Sequence, residues 1–154
     1  MSFRSYRVAS RVLVGLGLGL VLGGCRSTPS APSPDIQAIV EAVAKDHPEV
    51  VRLTVHMVPP GGGVSCVVAS TLAEKLGKVS DPEDLEAMAT GKVVVLEEVG
   101  AVDVTVPVMK KGARWESSVG VTLKPNAQLG RAQYVELAKA IARVVEDRMA
   151  AIKK

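Results

Sequence analysis

Apolar positions follow a helical rhythm first. Ile36, Ile39, Val40 and Val43 recur at i, i+3, i+4 and i+7, which is one stripe of an amphipathic helix. Ser33 or Asp35 supplies a cap, Pro34 suits the first turn, and Pro48 ends the element. From Val50 to Val58 the period drops to two. Val51, Leu53, Val55 and Met57 share one face, and Arg52, Thr54, His56 and Val58 share the other, so a half-buried strand is predicted. Pro59-Pro60-Gly61-Gly62-Gly63 interrupts it, and Val64 to Ala69 reads as a second strand. Two strands joined by a Gly/Pro loop make a hairpin.

Two short helices should follow. Thr71-Leu72-Ala73-Glu74 has capping-box spacing, with Gly77 as its stop. Asp81 to Met88 has Asp81 as cap, Pro82 in the first turn and acidic residues where they complement the helix dipole, and Gly91 closes it. A calcium loop would need alternating oxygen ligands and a glycine, which these four acids lack, so no metal site is expected. Strands then resume. Lys92 to Glu98 carries Val93, Val94, Val95 and Leu96, apolar on both faces. In Ala101 to Met109, Val102, Val104, Val106 and Val108 alternate with Asp103, Thr105 and Pro107. Lys110-Lys111-Gly112 turns the chain into Arg114–Leu123, where Trp115, Ser117, Val119, Val121 and Leu123 share a face. A long helix from about Leu129 to Ile152, apolar on one stripe, closes the chain. The expected class is α+β: a single antiparallel sheet of about five strands, an N-terminal helix, short crossing helices and a long C-terminal helix.

One apolar stretch belongs to none of these elements. Arg4, Arg7 and Arg11 precede Val12–Leu22, an apolar run of 11 residues. That is too short for a membrane-spanning helix, which needs about 20 residues, and it fits a secretory leader. Leu22-Gly23-Gly24-Cys25 resembles a bacterial lipobox. The resemblance implies removal of residues 1–24 as a lipoprotein signal peptide and acylation of Cys25, which would hold the protein to a lipid bilayer. Residues 25–34, rich in proline and serine, then form a tether, and 35–154 form the domain. Arg26 in place of Asp implies the outer membrane, facing the periplasm, if the cell has two membranes.

This placement changes the meaning of the charge. The net +3 includes the three leader arginines; without them 16 basic residues face 16 acidic ones. A nucleic-acid binder needs a cationic surplus, so that class is excluded. With Cys25 acylated, Cys66 has no intramolecular partner, and its apolar neighbours predict a buried side chain. No cofactor motif is legible, and no nucleophile has a base beside it, so a non-catalytic role is expected.

The element order looks like the PAS-like modules of extracytoplasmic sensors, the Cache class. The resemblance lies in Ala69-Ser70-Thr71, Leu76-Gly77-Lys78, Ser80-Asp81-Pro82-Glu83-Asp84, Thr90-Gly91-Lys92, Asp103 to Val108 and Val119 to Thr122. It departs at the basic turn Lys110–Arg114 and at Glu116-Ser117-Ser118. It implies a small-molecule ligand held between the sheet and a crossing segment, with Asp103 as a ligand-contacting acid. From the strand pattern, Arg52 and His56 share one face of the first strand, and Thr105 shares Asp103's face. These four are the candidate ligand-binding residues, and solvent is the alternative setting for their faces. The competing role is an accessory lipoprotein that binds a protein partner of the cell envelope.

Overall fold

The computed structural model describes residues 33–59 and 63–152. The leader, Cys25, tether residues 25–32 and the loop tip Pro60–Gly62 lie outside the described residues. The elements, in chain order, are α1 (Pro34–Asp46), β1 (Val50–Met57), β2 (Cys66–Ser70), a 3-10 turn (Ala73–Lys75), α2 (Pro82–Thr90), β3 (Val94–Glu98), β4 (Ala101–Lys111), β5 (Arg114–Leu123) and α3 (Arg131–Ile152). The strands form one antiparallel sheet in the order β2-β1-β5-β4-β3. The α+β plan expected from the sequence is therefore present.

The sheet has two unlike faces. On one, α1 and α3 pack together and cover β1, β2, β4 and β5. Here Val40 and Val43 of α1 meet Leu53, Val55, Val104, Val119, Val121 and Leu123 of the sheet and Ala138, Ile141 and Val145 of α3, all buried. This is the apolar core. Small side chains such as Ala138 and Ala142 let α3 approach the valine-rich strands closely. Cys66 is buried in the same cluster. The other face carries Arg52, Thr54, His56, Asp103, Thr122 and Gly120, and α2 lies across it.

Three local expectations change. Thr71–Glu74 does not cap a helix. The Thr71 hydroxyl accepts the Leu53 backbone N–H instead, at 3.1 Å, and only a 3-10 turn forms, capped by Leu72. The valine run of β3 is not buried on both faces, because β3 is an edge strand and Leu96 is exposed. The apolar stripe of the long helix also stops short of its end: Ile152 is exposed, and Met149 takes the last buried position of α3.

β3 covers only the first part of β4, since Val94 opposite Thr105 is its last pair in that direction. Val106 to Lys111 is thus an outer edge with no strand beside it among the described residues. Pro107 has no N–H to offer there. Met109, at φ +59°, gives its N–H to Glu146 Oε1 of α3 at 2.6 Å.

Candidate functional site

The site is built under α2. Pro82 at the first helical position and the Asp81/Asp84 capping box start this helix, and Gly91 at φ +69° ends it. Asp84 Oδ2 accepts the Asp81 N–H at 3.1 Å. Being at the third helical position, Asp84 also points toward the sheet, where it is buried.

His56 comes up from β1 to meet it, with Nδ1 3.1 Å from Asp84 Oδ2 and 3.1 Å from Ser80 Oγ. Ser80 Oγ lies 2.8 Å from Ser65 Oγ. On the other side of the ring, Nε2 lies 3.1 Å from Thr54 Oγ1. The Thr54 hydroxyl donates to the Gly120 carbonyl at 3.4 Å, so it accepts from Nε2–H. Nδ1 is then the acceptor, as a neutral imidazole requires.

Burial explains that neutrality. It pushes His56 down to about 4 against the opposing pull of Asp81 and Asp103. It pushes Asp84 up to about 7, helped by Glu83, Asp81 and Asp103 and opposed by the hydrogen bond from Asp81. Removing water disfavours the charged form of both groups, so between those values the pair is uncharged and holds one proton on the carboxyl.

A second cluster adjoins it. Arg52 Nη2 lies 3.3 Å from Asp103 Oδ1 of β4 and 3.4 Å from Glu98 Oε1 of β3. The Thr122 hydroxyl of β5 donates to Asp103 Oδ1. The register places Arg52 opposite Thr122, and Thr122 opposite Asp103. One acid thus gathers three adjacent strands. Arg52 is only partly buried, so its guanidinium keeps some contact with solvent.

Arg52, His56 and Asp103 line one small pocket with Thr54, Val67, Lys75, Asp81, Glu83, Asp84 and Gly120, of about 20 Å³. That is room for about one water. The structure therefore brings three of the four residues chosen from sequence to one place, and the face they share is neither solvent nor apolar core. Thr105 is buried on the same face, opposite Gly120 in register, and is not among the lining residues. Asp84, Ser80 and Ser65 were missed. The legible signal was Asp81-x-x-Asp84, a capping pair whose second acid had to face the sheet. Asp81, Glu83 and Asp84 also bring carboxylate oxygens within 4.8 Å of one another, but helix capping and His56 already account for Asp84.

Comparison with solved structures gives the fold a name. The second GAF domain of DevS from Mycobacterium smegmatis aligns at TM-score 0.55 and 12% identity, covering 77% of this chain and 96% of that domain. The fold is GAF-like. A methyl-accepting chemotaxis protein aligns at TM-score 0.55 and 15% identity, over 79% of this chain and 91% of that structure. A free methionine-R-sulfoxide reductase from Neisseria meningitidis, solved with its substrate, aligns at TM-score 0.52 and 15% identity, covering 75% and 76%. No protein-family model and no curated protein matches the sequence. At these identities the likeness is one of fold alone, and any role has to be read from this chain's own side chains.

Proposed function

We propose that this protein is a lipid-anchored lipoprotein of the cell envelope whose GAF-like domain binds a small polar molecule without transforming it. The carrying observation is the convergence of Arg52, Asp103, His56 and Asp84 on the sheet face opposite the apolar core. Stability alone does not ask for buried charge, since a buried ion pair is often no better than an apolar replacement. Polar groups gathered in a recess are what a ligand site needs for orientation. The pocket is small, so the ligand enters by displacing α2, whose buried contacts are Asp84, Ala87 and Met88. The sensor domains with this fold support a binding role.

The reductase neighbour is the natural catalytic comparison, and the chemistry here does not follow it. A thiol is the side chain able to give two electrons to a sulfoxide. Cys66, the cysteine among the described residues, is buried in the core on the far side of the sheet. The accessory reading, a protein partner of the envelope, draws on a different feature. A groove of about 480 Å³ lies along the outer edge of β4, lined by Pro107, Trp115, Glu136, Lys139, Arg143 and Glu146.

Thermal melting of the protein with a panel of small acids, amines and amides tests the binding role. A true ligand at 100 times its Kd adds about 2.7 kcal/mol, and Asp103→Asn should abolish that gain. A panel without a stabilising compound moves the function to the partner reading. Metabolic labelling with an alkynyl fatty acid tests the anchor: the label should be incorporated by the protein and lost in Cys25→Ser. A mature form that still begins at Met1 would exclude it.

A further inference from the structure

A second recess on the α2 side shares no lining residue with the polar pocket. It runs between Leu85, Met88 and Ala89 of α2, Val58 and Gly63 to Ser65 of the β1–β2 connection, and Ala113 to Trp115 at the start of β5. Its volume is about 480 Å³, within the range of small-molecule sites. Large apolar side chains converge on it while remaining open to water: Val58 is 41%, Val64 50% and Leu85 43% exposed. Scattered exposed valines need no explanation, but a concave cluster does.

The polar chemistry of this recess has one sign. Arg114 is the charged residue of its lining. Beyond it, Lys110 Nζ sits 5.5 Å from the centre of the Trp115 ring, and Lys111 pairs with Glu116 at 3.5 Å. Four charges at that end therefore sum to a positive mouth, and no acid lines the groove itself. An amine placed there would meet three cations and a single carboxylate, Glu116, already paired with Lys111. A carboxylate would find a guanidinium able to bind it with two parallel hydrogen bonds. Ser65, at the inner wall, offers a hydroxyl already tied to Ser80.

We propose that this groove binds a small amphiphilic carboxylate. Its apolar body lies against Val58, Val64, Leu85, Met88 and Trp115, and its carboxylate pairs with Arg114. The site goes beyond the polar ligand assigned above and stands whether or not that ligand exists.

The chain has one tryptophan, and it lines this groove, so its emission reports occupancy. The full chain, held in nanodiscs of zwitterionic lipid, is titrated with hexanoate and 3-phenylpropionate and with hexylamine and hexanol. Both acids should shift Trp115 emission saturably, with hexylamine at least tenfold weaker than hexanoate. Arg114→Gln should weaken the acids about tenfold and leave hexanol unchanged. Leu85→Glu, at an exposed position that does not threaten folding, should remove the response. Asp103→Asn should leave it intact, which separates this site from the polar pocket.

Four results would overturn the proposal. One is no saturable shift with either acid. A second is equal binding of acid and amine. A third is a response that survives Leu85→Glu but not Lys139→Glu, which would place the ligand in the other groove touching Trp115. The fourth is a shift on adding phosphatidylglycerol to the discs with none on adding free acids, which would make the surface a membrane contact.

Discussion

At the scale of single residues, the His56–Asp84 pair makes an unusual pH prediction. Unfolded, His56 holds its proton up to about 6.5 and Asp84 releases its own above about 3.8. Folded, burial reverses the order: Asp84 is protonated up to about 7 and His56 is neutral above about 4. Either way the two groups together hold one proton through most of the interval between 4 and 6.5. Folding takes up no net proton there, so the pair adds no slope to stability. Single replacements uncover two opposite slopes. Asp84→Asn leaves a histidine whose folded value is depressed, so stability should rise with pH from about 4 to 6.5. His56→Asn leaves a carboxyl whose folded value is raised, so stability should fall from about pH 4 to 7. Each slope approaches about 1.4 kcal/mol per pH unit at most. Urea unfolding across that range checks the pair, and slopes of the same sign in both variants would refute it. Asp103 makes a simpler case. Asp103→Ala strands the Thr122 hydroxyl and removes one of two acids beside Arg52. Because Arg52 keeps some solvent, the cost should be about 2 kcal/mol rather than that of a fully buried pair, read as a lower urea midpoint at unchanged m-value.

At the scale of elements, α2 shows where sequence reading succeeds and fails. Its ends were plain in Asp81-Pro82 and Gly91, because capping chemistry is local. Its inward face was not, because Asp84 looks like one more helix-end acid until His56 is brought to it from β1. The earlier short helix failed for a related reason. Thr71 has the right spacing from Glu74, but a buried strand amide, Leu53 N–H, competes for its hydroxyl and wins. The end of α2 is also fixed by tertiary contact. Gly91 holds a left-handed conformation, and a Cβ there would strike the Trp115 indole. Gly91→Ala should therefore cost about 2 kcal/mol, counting the backbone penalty and the displaced ring. Thermal melting reads the loss, and a red shift of Trp115 emission reads the ring movement. An unshifted spectrum with a lower melting temperature would assign the loss to backbone strain alone.

For the whole molecule, strand number and antiparallel order of segments were legible because valines alternate with polar residues in β1 and β4, and turns separate them. The lateral order was not. Nothing in Val93–Leu96 says that β3 lies outermost; a valine-rich run reads as interior until its neighbours are known. The split between a dry face under α1 and α3 and a charged face under α2 was half legible, through Arg52, His56 and Asp103. The partners that bury them come from α2 and β5, far off in sequence. No signal in the sequence or structure accounts for the Ser117 and Ser118 hydroxyls, which are buried without a hydrogen-bond partner among the described residues.

The outer half of β4 has a social consequence. An exposed strand edge invites the same edge of another copy, and the proposed lipid anchor would crowd copies together in two dimensions. Here Pro107 withholds one donor and Glu146 occupies another, so neighbouring copies have little to zip onto. Restoring both donors with Pro107→Val and Glu146→Ala should make the protein self-associate more strongly than the parent as concentration rises in sedimentation velocity. If the double variant associates no more than the parent, crowding is resisted by something other than this stretch of backbone.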